Sequence, residues 1–505
     1  MLQFFHTIDT EIFNAQYEVT IAGKHVDCMK ARVSAMPYNT IWPGCQRPVE
    51  QTELISMVSF AGDEDVVVSV KSNKIQIDET TDIKIRPLSK QVNYEVDDNR
   101  IVFVLKENGA YTVELNGFHE VLTIFYNPVK DFLIEAEKDV NENRKLLYYP
   151  EGIHHIGTVE LESHTTVVVD SGAVLYGAFT AICAEDIKIC GYGIIDGSLE
   201  DRKTEEGFIL HDFDQLLPYE KDELKSYYNR NEILNGCIRF YRCKNISVES
   251  IILRDSTFWS FMAAGCDNLQ IDNVKTIGMW KYNADGIDVV NCSRVTIRNC
   301  FLRNFDDCIV IKGIAGWEDR NNENILVENC VVWCDWGRSL EYGAETNAPE
   351  YRNIVMRNCD LIHNSTVLMD IQHNNEAEIH HCLFENINAE YSKYQLPDIY
   401  QEDMEKPYTG VPNTEQPLLM GIFVYDEIAH SKKNLHGCVH DIIFRNINVY
   451  KDEEVSMPES KFMGFEGHRV SNVVIDGLYV NGKKVDSMEE ANIFVNEFTD
   501  NINLL

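Results

Sequence analysis

The sequence predicts an all-β fold in which a small N-terminal β-sandwich domain precedes a long parallel β-helix, a solenoid. Three observations predict it. Residues 1–127 hold short runs of alternating apolar residues cut by turn dipeptides. From about residue 145 a different pattern recurs, a polar lead followed by alternating apolar positions. Helical periodicity is nearly absent between the copies, which disfavours repeats that pair a strand with a helix.

The N-terminal strands are legible one by one. VVVSV (66–70), IKIRPL (83–88), RIVFVL (100–105) and YTVELNG (111–117) alternate with period two. Gly62-Asp63, Asp97-Asp98-Asn99 and Asn108-Gly109 supply turns between them. Regularly spaced short strands of this kind pack as two sheets. Asn127-Pro128 is the expected end of the unit, dividing the chain into a sandwich domain at 1–127 and a β-helix catalytic domain at 128–505.

The repeat is carried by EDIKIC, KNISVES, DNLQIDNV, SRVTIRNC, ENILVENC, RNIVMRNC, AEIHHC, HDIIFRNI and SNVVIDGL. Their first apolar residues are Ile187, Ile246, Leu269, Val295, Ile325, Ile354, Ile379, Ile442 and Val473. Most gaps fall between 23 and 31 residues, a solenoid period. The gaps of 59 and 63 read as two coils plus an insertion. Residues 198–235 and 390–436, rich in Glu, Asp, Tyr and Lys, are expected as loops bordering a cleft. Cys300, Cys330 and Cys359 follow their anchors by five residues and Cys382 follows its own by three. Equivalent positions in successive coils stack about 4.8 Å apart, so an internal ladder of thiols is expected. Cys330-x3-Cys334 comes nearest to a ligand pair, with no histidine at ligand spacing. No metal site and no cofactor are expected.

Charge narrows the partners. With 81 Asp+Glu against 45 Lys+Arg the formal net charge is −36, a surface that repels nucleic acid and anionic membranes. No stretch approaches 18 apolar residues. The N-terminal MLQFFHTIDTEIFNAQ lacks a basic n-region and an apolar run, and the 15 cysteines are odd in number. A cytoplasmic protein is the expectation. The oligomeric state stays open.

Chemistry concentrates in two segments one coil apart. Lys281-Tyr-Asn-Ala-Asp-Gly-Ile-Asp288 carries Asp285, and Asn304-Phe-Asp-Asp-Cys-Ile-Val-Ile-Lys-Gly313 carries Asp306 and Asp307. Residues 21 or 22 apart in coils of this size lie on neighbouring rungs of one sheet. Clustered carboxyls raise one another's pKa and yield an acid beside a base. Glycoside hydrolysis needs that pair. Asp-Gly and Asp-Asp also cap ordinary turns, so the force of the reading lies in finding both motifs one coil apart. Because neighbouring residues of a strand face opposite ways, Asp306 and Asp307 can share a cleft only where the chain bends.

These residues sit in a longer resemblance. YYPEGI (148–153), VDSGAVLYG (169–177), GYGIIDG (191–197), IRFYRCKNI (238–246), LRDSTFW (253–259), NADGID (283–288) and FDDCIVIKG (305–313) resemble the polygalacturonase-type right-handed β-helix glycoside hydrolases. The resemblance implies inverting hydrolysis by Asp285, Asp306 and Asp307. Asp306 or Asp307 would protonate the glycosidic oxygen, and the remaining carboxylates would activate water. It also implies that Asn283 and Asp288 line the substrate.

The departures bear on specificity. Where that family has a histidine in a Gly-His-Gly run, this chain has Trp336 in DWGRSLEYG (335–343). MDIQHNN (369–375) stands where the family's carboxylate-binding Arg-Ile-Lys block should be. EYG (341–343) and NIVMRN (353–358) are more similar to the dextranase and isopullulanase β-helix family, which also has a sandwich and three aspartates but lacks the histidine. Trp280 and Trp336 flank the acids and present flat rings for sugar stacking. Lys312, Arg338, Glu341, Gln372 and His373 complete the candidate substrate-binding set. The expected activity is inverting cleavage of α-linked oligosaccharide or polysaccharide, on neutral glycan and short or exo-type substrates. A pectinase-type galacturonan or rhamnogalacturonan hydrolase is the alternative. A lyase or epimerase would need a cation or basic residues to neutralise a uronate carboxylate, and this site is short of them; a non-catalytic carbohydrate-binding β-helix would not need three acids.

Overall fold

The computed structural model describes residues 1–35, 49–117, 121–140, 144–200, 216–231, 236–394, 416–425 and 437–505. The alternating runs of the N-terminal region form two sheets. One has six strands, Gln3–Phe4, Met29–Ser34, Thr52–Ala61, Ile83–Arg86, Gly109–Leu115 and Val121–Asn127; the other has five, Tyr17–Ile21, Lys24–Val26, Val66–Ser72, Tyr94–Asp97 and Arg100–Leu105. Val19, Val68, Ile101, Val58, Val113 and Ile124 meet between them as a buried core. The last sandwich strand ends at Asn127.

The rest of the chain winds into a right-handed parallel β-helix with one continuous 30-stranded ladder. Each coil lays down three strands. Ile238–Tyr241, Lys244–Glu249 and Ile252–Arg254 pair in parallel with Phe261–Ala264, Asp267–Asp272 and Lys275–Ile277 of the next coil. Register explains the repeat: Ile246, Leu269, Val295, Ile325 and Ile354 pair in succession and fill the core. The recurring asparagines take left-handed backbone at the corners, which their short side chains tolerate. They also bond along the axis, as in Asn446 to Asn386 at 2.7 Å and Asn386 to Asn358 at 3.0 Å.

The register corrects three expectations. Ile187 pairs directly with Ile246, and Cys382 directly with Ile442. Each long gap is therefore one coil with a large insertion, not two coils. The repeat anchor in the seventh copy is Cys382 rather than Ile379, because Ile354 faces Cys382; a thiol stands in an isoleucine's place. The ladder of buried thiols follows Cys300, Cys330 and Cys359 as expected. Cys382 belongs to the neighbouring column. The third correction concerns the insertions. Lys221–Asn231 is an α-helix that buries Leu224 and Tyr228 against Tyr241 and Trp317, and Leu418–Val424 is a solenoid strand. The remainder of both insertions lies largely outside the described residues.

The sandwich is docked on the solenoid through a third apolar layer. Ala31, Val33, Ile55, Met57 and Phe125 meet Ile194, Ile252, Ile277, Phe301 and Trp333. Buried ion pairs flank it. Arg254 holds Glu11 at 2.7 Å and Asp196 at 2.5 Å, and Arg86 holds Glu114 at 2.9 Å and Glu390. Trp333 lies in this interface, packed against Arg303 (3.7 Å) and His363 (4.1 Å).

Candidate active site

The candidate site lies on one sheet of the solenoid, over the strands Ile287–Val290, Ile309–Gly313, Arg338–Thr346 and Val367–His373. Apolar residues at alternate positions (Ile287, Val289, Ile309, Ile311, Leu340, Tyr342) face the core. The residues between them therefore face outward. Asp288, Val310, Glu341 and Asp370 form one such outward column, each paired to the next.

The three aspartates arrive just before two of these strands. The Gly286 N–H donates to the Asp307 carbonyl at 2.8 Å, which sets Asp285 and Asp307 one rung apart. Residues 305–308 are not strand but a bend, and there the Asp307 N–H donates back to Asp306 Oδ1 at 3.1 Å. The bend removes the alternation that would have sent the two side chains to opposite faces. Ser260 pins the preceding loop, its N–H (2.9 Å) and hydroxyl (2.7 Å) both donating to the Asp285 carbonyl. Gly337 is needed for close approach, since a Cβ there would sit 2.6 Å from Asp307 Oδ1.

Two cations organise the carboxyls. Lys312 Nζ lies 3.4 Å from Glu345, 3.8 Å from Asp285 Oδ2 and 3.9 Å from Asp307 Oδ2. The two latter contacts place Asp285 and Asp307 around one shared cation. Arg338 bridges Asp307 and Asp370, 3.6 Å from each, and its own N–H donates to Asp307 Oδ1 at 2.9 Å. Seven buried carboxyls (Asp285, Asp288, Asp306, Asp307, Glu341, Glu345 and Asp370) thus surround two cations. Such a cluster holds protons at neutral pH and titrates as a unit. Burial first, then Asp288 and Asp306, raises Asp285 well above the usual carboxylate range. Burial and Asp307 raise Asp306 to about 7, and the same two causes raise Glu341 well above the usual carboxylate range. Asp288 is raised by burial, and Asp370 by burial to about 6. Burial opposes charge on Lys312, but Glu345, Asp285 and Asp307 outweigh it and hold its proton tightly.

The other expected residues divide. Trp336 is half-buried, stacked at 5.6 Å and 5° on Phe305 and 5.6 Å from Tyr282. Trp280 is buried and donates its indole N–H to Asp255 at 3.0 Å. Asn283 is buried with Oδ1 unbonded and backbone in the left-handed region. Gln372 donates to Asp370 at 2.8 Å, so it supports the column. His373 is fully buried with Nδ1 2.9 Å from the Thr346 hydroxyl, and burial lowers its pKa to about 3; it stands behind the cleft, packed in protein. Glu345, Asp370, Ser260 and Tyr425 were not read from the sequence. Tyr425 follows a long insertion that interrupts the repeat count, and its hydroxyl is raised by burial and by Asp370. Among the described residues the one group with metal-ligand proximity is His164, Glu185 and Asp186, which belongs to another coil face.

Residues 158–418 match the family model described as glycosyl hydrolases family 28, a stretch that includes all three aspartates. The chain belongs to glycosyl hydrolases family 28. Among curated relatives, the probable rhamnogalacturonase A of Aspergillus oryzae is 30% identical over 134 residues, covering 25% of this chain and 27% of that protein. A dextranase of an Arthrobacter species is 20% identical over 291 residues, covering 54% and 38%. The matched stretches thus span well under half of those relatives' lengths. Among solved structures, Dex49A from Penicillium minioluteum superposes over 99% of this chain and 96% of its own, with TM-score 0.65 and 12% identity. An exopolygalacturonase from Thermotoga maritima covers 73% and 86% with TM-score 0.51 and 19% identity. These likenesses show the sandwich-plus-solenoid fold.

Proposed function

We propose that this glycosidase hydrolyses α-linked glycans with inversion, Asp306 acting as proton donor, Asp307 as the base that activates water, and Asp285 orienting that water. The observation that carries the reading is the unequal treatment of two adjacent aspartates. Asp307 faces both cations, Lys312 and Arg338. Asp306 has no ion pair among the described residues, an unbonded Oδ2, and a carboxyl raised to about 7 by burial and Asp307. A protonated acid beside a cation-stabilised carboxylate is the division of labour that inverting hydrolysis needs. The proton passes from Asp306 to the leaving oxygen, and water adds to the anomeric carbon as its proton passes to the base.

The same geometry favours a neutral sugar at the cleaved bond. Arg338 and Lys312 are committed to five carboxyl contacts, and Asp370 and Gln372 stand where a uronate-binding block was expected. A second carboxylate at this point would add charge to an acid-rich site. The dextranase relative fits this reading, and the rhamnogalacturonase relative keeps the pectinase alternative in play. Assaying purified protein on α-glucan and galacturonan-type oligosaccharides, with Asp306→Asn as control, tests it. Turnover of the α-glucans that falls at least about 10³-fold in the variant supports the reading; turnover retained by Asp306→Asn overturns it.

A further inference from the structure

Glu341 lies on the strand Arg338–Thr346, paired with Val310 on one neighbouring rung and with Asp370 on the other. Its strand neighbours Leu340 and Tyr342 face the solenoid core, so its own side chain points outward into the carboxyl cluster. It is fully buried, and neither of its carboxyl oxygens receives a hydrogen bond. An ionised carboxylate there would be withdrawn from water with nothing donating to it, a costly arrangement.

Among the described residues, the possible donors around Glu341 are spent elsewhere. Lys312 points to Glu345, Asp285 and Asp307, and the Arg338 guanidinium to Asp307 and Asp370. Gln372 donates to Asp370 at 2.8 Å, and the Tyr351 hydroxyl to the Glu345 carbonyl at 3.1 Å. The Tyr425 hydroxyl interacts more strongly with Asp370 than with Glu341. What stands within hydrogen-bonding reach of Glu341 is the carboxyl of Asp307. Two carboxylates cannot bond each other, so one of the pair must carry a proton. Asp307 is the ionised partner, because it faces both cations and accepts the Arg338 main-chain N–H at 2.9 Å. Glu341 is then the neutral one: burial and Asp307 favour its protonated form against the pull of Arg338 and Lys312. A buried carboxylic acid kept neutral in this way is a hydrogen-bond donor.

We infer that Glu341 is a positioning residue that, in its neutral form, donates a hydrogen bond to the Asp307 carboxylate and fixes its orientation. The inference rests on the proposed hydrolytic reading for the role of Asp307 as base, and on the unpartnered Glu341 carboxyl for the proton. Glu341 acts through Asp307 and not by touching the sugar.

The test compares Glu341→Leu, which cannot donate, with Glu341→Gln, which keeps an N–H donor at the same place. On an α-linked oligosaccharide, Glu341→Leu is expected to lose about 10- to 100-fold in kcat with KM little changed, the effect of a misplaced catalytic group. The acid limb of its kcat/KM profile should move up by about one pH unit, because a hydrogen bond favouring the charged base is gone. Glu341→Gln should recover most of the lost kcat and restore the position of that limb. The proton itself is read without turnover, in the infrared difference spectrum of wild type minus Glu341→Gln at neutral pH. A protonated-carboxyl band that the variant lacks is expected. Absence of that band overturns the inference, and it decides the matter even if Glu341→Leu does not fold. A Glu341→Gln that loses as much kcat as Glu341→Leu overturns it too, since charge and not donation would then be what counts. A folded Glu341→Leu with unchanged kcat and pH profile overturns the positioning role, and so does a variant that changes KM alone. Wild-type protein that cleaves no α-linked compound sinks the hydrolytic reading alone, and the infrared band still decides where the proton sits.

Discussion

Arg338 meets Asp307 twice, its main-chain N–H donating to Oδ1 at 2.9 Å and its guanidinium lying 3.6 Å from the same oxygen. The two contacts fix position and charge separately. Arg338→Gln leaves the main-chain bond in place and removes the charge. Its kcat is expected to fall about 10- to 100-fold with the fold intact, the effect of a misplaced or poorly stabilised catalytic group. Arg338→Lys should recover part of the loss, and steady-state kinetics on both variants check it.

Lys312→Met strands Asp285, Asp307 and Glu345 without their buried cation. Breaking a buried pair in this way costs about 3–5 kcal/mol, measurable by urea unfolding. The folded-state pKa of Lys312 is raised, so its stabilising effect is present throughout the range below the unfolded lysine value. The loss should nevertheless be larger at pH 8 than at pH 5, where the surrounding carboxyls take up protons.

Asp306 makes a pH prediction of opposite sense to an ordinary paired carboxylate. Its folded pKa of about 7 lies above the unfolded value of 3.8. The folded protein therefore binds that proton more tightly, and stability falls as pH rises from about 4 to about 7. Asp306→Asn removes the titration and should raise stability near pH 8 by up to about 4 kcal/mol. In the parent enzyme, kcat/KM should decline above about pH 7 as the proton donor ionises.

The described cysteines give a chemical check on the solenoid core. All 14 are free thiols, and all but Cys183 and Cys438 are buried. Burial raises Cys190, Cys237 and Cys382 to about 12, which keeps them as unreactive thiols at neutral pH. Native alkylation followed by mass spectrometry should label Cys183 and Cys438 quickly. Labelling of Cys300, Cys330 and Cys359 should need denaturant.

Much of this was legible in sequence because a solenoid writes its geometry locally. Alternating apolar anchors such as Ile246, Leu269 and Val295 mark the rungs, and left-handed asparagines mark the corners. Asp285 and Asp307 could be placed side by side from spacing alone. The misses share one cause. Wherever an insertion interrupts the count, as between Ile187 and Ile246 or Cys382 and Ile442, rung assignment from spacing fails. Glu345, Asp370 and Tyr425 reach the site from strands whose register depends on such counting or on a bulge. His373 looks like a sugar ligand by residue type, but burial against Thr346 claims it.

The most direct measurement is the anomeric configuration of the first product, followed by NMR in the opening minutes of cleavage of an α-linked oligosaccharide. Asp306 as acid, with Asp307 and Asp285 directing water to the opposite face, predicts the β-anomer first, with the α-anomer appearing only by mutarotation. An α-anomer formed first would contradict that assignment.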